Sequence, residues 1–66
     1  MNIDLIVRYA MKRIEETGLL AGEILAHPVT FNRIAEQMCY YAGDSLNKVI
    51  FYDMLTVILY TIQESK

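Results

Sequence analysis

The sequence predicts an all-α fold, on three observations. Apolar residues recur at helical spacing through three stretches, near 3–17, 30–42 and 45–64. Gly18 and Gly43 stand where the first two stretches end, and Pro28 interrupts the chain between them. A 55 % apolar composition with a single cysteine rules out both a disordered chain and a disulfide scaffold. The expected architecture is a compact bundle of three main helices forming a single helical domain over 1–66.

Each element follows from local chemistry. Asn2 is a good N-cap, and Asp4 sits in the first turn, where the helix dipole favours a negative charge. Ile3, Ile6, Val7, Ala10 and Ile14 then line one face. Asp4, Arg8, Lys12, Glu15 and Glu16 take the other, with Asp4 four residues before Arg8. The segment 19–26 reads as a short helix carrying Leu20, Ile24 and Leu25, or as a brief extended piece through 23–26. Gly22 weakens the helical reading without overturning it. Thr30 reads as the N-cap of the next helix, with Val29 and Ile34 as a hydrophobic staple. Phe31, Ile34, Ala35, Met38, Tyr41 and Ala42 share its apolar face. Gly43 closes it, and Asp44 or Ser45 is expected to cap the last helix.

That last helix, about 45–64, carries the functional argument. Phe51, Leu55, Ile58 and Ile62 form one stripe flanked by Met54. Leu46, Ile50 and Val57 form a second, with Asp53 in its midst, and Val49, Tyr52, Leu59 and Tyr60 occupy much of the remainder. A helix apolar on nearly all sides is buried or lies against another surface. Folding 66 residues shrinks roughly 11,000 Å² of chain surface to roughly 4,300 Å², so little apolar surface can be hidden. Two short preceding helices are not expected to cover this one.

Chemistry-bearing clusters are sparse. His27 is the only histidine and Cys39 the only thiol. The first reads as a loop residue before proline and the second as a small core filler. Zinc needs three or four compactly spaced ligands, and Gly18, Gly22 and Gly43 are too isolated for a phosphate cradle. No catalytic, cofactor-binding or metal-binding residues are expected, so the chain reads as no enzyme.

Six Lys and Arg against eight Asp and Glu give a net charge of −2, without the basic stripe of a duplex-binding module. The stretch 31–38 resembles the first helix of a DNA-binding helix-turn-helix. The recognition helix after Gly43 would then offer Asn47 and Lys48 among Leu46, Val49, Ile50, Phe51 and Tyr52. The run from Val49 to Ile62 is shorter than the about 20 residues of a membrane span and contains Asp53. Nothing at the N-terminus reads as a signal peptide, and a cytoplasmic location is expected.

The sequence therefore points to a small interaction protein, a regulator or inhibitor that binds a larger protein partner and self-associates as a homodimer through its last helix. Tyr40, Tyr52, Asp53, Leu59 and Tyr60 are the candidate contact residues. Tyrosine suits interfaces because it offers large area with few rotors and a polar tip. The alternative is a compact helix-turn-helix-like transcription regulator, and a third reading is an accessory subunit of an enzyme.

Overall fold

In a computed structural model describing residues 2–44 and 47–65, four helices follow in order: α1 (Ile3–Thr17), α2 (Ala21–Ala26), α3 (Pro28–Ala42) and α4 (Lys48–Glu64). The described residues contain no strand. The fold is an all-α bundle with three substantial helices and one short one.

The first helix forms as its signals dictate. The Asn2 side-chain oxygen accepts the Leu5 N–H at 3.2 Å, relieving one orphan donor of the first turn. Gly18 takes φ +69°, a left-handed conformation that a Cβ would strain, and its N–H closes on the Glu15 carbonyl. Arg8 and Asp4 pair at 3.3 Å, with both side chains in water. Ile6, Ala10 and Ile14 face the core.

The ambiguous segment is helical over Ala21–Ala26. Glu23 reaches back to accept the Leu20 N–H through its carboxylate at 2.9 Å, which fixes the helix start. Gly22 has a packing role here. A Cβ at that position would lie 3.2 Å from the Gln63 side-chain amide nitrogen, so the glycine marks a close approach of α2 to the end of α4.

The third helix begins earlier than its sequence signal. Pro28 occupies the first turn, where its missing N–H costs nothing, and His27 stands at the cap position. Thr30 is thus inside the helix and caps nothing. Val29 is 75 % exposed while Ile34 is buried, so the expected staple is not made. The proline ring presets the helical φ two residues before Thr30, and that local constraint overrides the hydroxyl cap. Gly43, at φ +72°, ends the helix. The N–H groups of Gly43 and Asp44 satisfy the Tyr40 and Cys39 carbonyls, each at 3.2 Å.

The last helix starts at Lys48 with Asn47 at its cap position, and Asn47 makes no side-chain capping bond. Asp44 lies outside the helix and accepts from the Asn47 amide at 3.4 Å. Ser45, the other expected cap, and Leu46 of the outer stripe lie outside the described residues.

One core cluster joins all four helices: Ile6, Ala10 and Ile14; Ala21 and Ile24; Ile34, Ala35, Met38 and Cys39; Phe51, Leu55, Ile58 and Leu59. No polar or charged residue is buried among the described residues. The radius of gyration, 10.9 Å, is close to the ~10.8 Å of a compact chain of this length. The accessible surface, 4564 Å², is near the expected value as well.

Leu59 is a correction. It is completely buried, and its neighbours show why. Gln63, one turn further along α4, sits beside Gly22, so α2 covers the flank of α4 on which Leu59 lies. The short helix hides more of α4 than its length suggests.

Candidate functional site

With α2 and α3 packed along α4, its inward face is Phe51, Leu55, Ile58 and Leu59. The helix repeat then turns Val49, Asp53, Val57 and Tyr60 to the opposite side. Val49 is 68 % exposed, Val57 65 %, Tyr60 52 % and Ile50 44 %, and Asp53 between them is exposed as well. At about 100° per residue, Val49, Asp53 and Tyr60 fall within about 40° of one another around the helix axis. The face is apolar at Val49, Ile50 and Val57 and polar at one carboxylate and one phenol.

No partner for the Asp53 carboxylate occurs among the described residues of the chain, and Val49, Ile50, Thr56 and Val57 are its helical neighbours. The single chain therefore leaves it in water. Thr56 and Thr61 spend their hydroxyls on the Tyr52 and Val57 carbonyls, at 2.8 and 2.7 Å. They add no free donor that would draw a polar partner to the face.

Beside this face, a groove of about 320 Å³ runs between α1 and α4, lined by Val7, Met11, Val57, Ile58 and Ile62, with Thr61 and Ser65 at its edge. Met11 is exposed and Val7 half-buried. The groove exists because α1 packs chiefly on α3 and meets α4 only lightly. Val57 belongs to both the groove and the outward face.

The other candidate residues separate. Tyr40, 89 % exposed, stands alone on α3. Tyr52 is half-buried against Phe31, with ring centroids 6.0 Å apart, and is tied into the core margin. Leu59 has no surface to offer. The structure thus brings Asp53 and Tyr60 together on one face and leaves Tyr40, Tyr52 and Leu59 elsewhere.

Sequence reasoning did not single out Val49, Ile50 and Val57 as contact residues, although their positions around Asp53 were readable. It also placed Tyr41 toward the apolar stripe. That ring is exposed and stacks on Tyr9, with centroids 4.2 Å apart and planes 12° from parallel. The Arg13 guanidinium covers Tyr9 at 5.0 Å from its centroid and pairs with Glu16 at 3.0 Å. Arg13 and Arg33 line one cleft between α1 and α3, together with Thr30 and Gln37.

Cys39 is buried in α3, and burial pushes its thiol above the ordinary range, against thiolate chemistry. His27 is exposed at the α2–α3 junction. No group of three His, Cys, Asp or Glu comes together among the described residues, and no described helix is long and apolar enough to cross a membrane.

What these elements define is an all-α bundle with an apolar outward helix face flanked by a groove. No protein-family model, curated protein or solved structure matches the chain.

Proposed function

We propose that this chain is a small, non-enzymatic interaction protein of the cytoplasm that docks other protein surface on the outward face of α4. Its role is that of a regulator or inhibitor, acting by occupying a surface on a larger partner and by associating with itself. One observation carries the reading. The one-sided coverage of α4 leaves Val49, Ile50 and Val57 in water beside Asp53 and Tyr60, and the apolar groove continues this surface. Isolated exposed apolar residues are ordinary on any protein, whereas a contiguous set with aromatic and polar members has the make-up of an interface.

The test compares the wild type with a Val49→Glu, Val57→Glu double variant. Both positions are exposed, so the helical circular dichroism and the urea melt at high dilution should stay as they are. Sedimentation and affinity capture from the native host then report association. The reading expects the wild type to associate, with itself or with a captured protein, and expects the variant to lose it. Association that survives the double substitution places the docking surface elsewhere and refutes the reading.

A further inference from the structure

The polar pair on the outward face limits what can cover it. Asp53 and Tyr60 are seven residues apart, about 10.5 Å along the axis, on nearly the same side of α4. A carboxylate closed off from water needs a donor, and none stands beside it in its own chain among the described residues. The phenol on the same face is such a donor, but two turns away. A second copy running the opposite way brings it back to the carboxylate.

Resting on the docking reading above, we infer that the occupant of this face is a second copy of the chain, paired antiparallel along α4. The two-fold axis passes between Thr56 and Val57, where Asp53 of each copy meets Tyr60 of the other. An axis there maps residue 53 onto 60, and both members of each pair fall on the same side of the dimer seam. Packed helices lie 8–10 Å apart, within reach of the phenol hydroxyl. Other registers bring the carboxylate no donor from this face: Thr56 and Thr61 have spent their hydroxyls, and Gln63 lies beside Gly22 on the α2 flank. A parallel pair, or an antiparallel one centred on Asp53, sets the two Asp53 side chains against each other. Centring on residue 55 faces Asp53 with Val57, which has no donor, and moving the centre beyond Ile58 faces it with Glu64. In the inferred register the two Asp53 are about 10 Å apart or more, comparable to the screening length at 0.1 M salt. Val57 and Thr56 meet at the axis, and Val49 faces the partner's Glu64 at the wet rim. A polar residue within an apolar seam is a known device for setting helix register and orientation.

Equilibrium sedimentation combined with a short bifunctional thiol reagent tests this register. The wild type should be a dimer at micromolar concentration. Tyr60→Phe, which strands the carboxylate, should weaken the dimer about tenfold or more. Adding Asp53→Leu to Tyr60→Phe removes both partners and should restore the affinity to within a few-fold. In a chain carrying Val57→Cys the reagent should link two copies across the axis. In one carrying Val49→Cys, whose copies lie about 22 Å apart along the seam, it should not. The native Cys39 is buried and stays out of the reaction. A monomer at all concentrations, linkage at Val49→Cys, or additive effects of Asp53→Leu and Tyr60→Phe would each overturn the pairing. A monomer that still captures a protein through Val57 overturns the pairing and leaves the docking reading standing.

Discussion

Cys39 illustrates what burial does to one residue. Its thiol is buried with the core, where ionisation is penalised; the Lys48 ammonium opposes that effect, while the Asp44 and Glu36 carboxylates add to it. The folded chain therefore holds the proton more tightly than the unfolded chain does. Below the ordinary thiol pKa of about 8.5 both states are protonated, and the stabilising effect is fully present. As pH rises from there toward the raised folded value, the unfolded chain ionises first and stability falls. Urea melts of the wild type and Cys39→Ala between pH 7 and 9.5 should show a steeper alkaline loss for the wild type. Parallel curves would mean that the thiol titrates alike in both states. The two residues expected to cap helices make a second test at this scale. Asn2→Ala should cost about 1 kcal/mol, because a first-turn N–H loses its acceptor. Thr30→Ala should change stability by less than about 0.5 kcal/mol, since Pro28 has already started the helix. Equal losses in the two melts would contradict the position of the α3 start.

Among the elements, α2 departs furthest from its sequence signal. Six residues with a glycine near their start make a poor helix alone. This one persists because Glu23 holds the Leu20 N–H and because Ala21 and Ile24 are buried against the bundle. Two glycine substitutions are expected to have opposite signs. Gly22→Ala adds a Cβ near only the flexible amide end of Gln63, so it should stabilise by about 0.5–1 kcal/mol through helix propensity. Gly18→Ala meets open space but must adopt φ +69°, so it should destabilise by about 1 kcal/mol. Thermal melts of the two variants decide it, and a loss at Gly22→Ala would show that Gln63 cannot yield. The boundaries of α1 and the glycine stop of α3 were legible because caps and stops act through immediate neighbours. The start of α3 was misread because two local signals compete there and the ring constraint wins.

For the whole molecule, the decisive asymmetry is that α4 is covered on one side only. If the outward face associates, the melting temperature of the wild type should rise with protein concentration, because the folded state is then stabilised by mass action. Val57→Glu should abolish that dependence while leaving the melt at high dilution unchanged. A concentration-dependent melt that Val57→Glu does not alter would move the contact off this face. The residues around Asp53 were visible on a helical wheel, yet the wheel does not say which side of an all-round apolar helix faces inward. It treated Leu59 and Tyr60, neighbours in sequence, as equally free.

By itself the sequence determined the helical class, the extent of α1 and the end of α3, and the apolar excess of α4. Those properties depend on spacing and on contacts within a few residues. Only the tertiary structure decided which part of that excess is core and which is surface. The choice rests on α2, whose docking beside Gln63 buries the Leu59 side of α4 and leaves Val49, Asp53, Val57 and Tyr60 outside. Contact between elements some 40 residues apart sets that outcome, and helical periodicity carries no information about it.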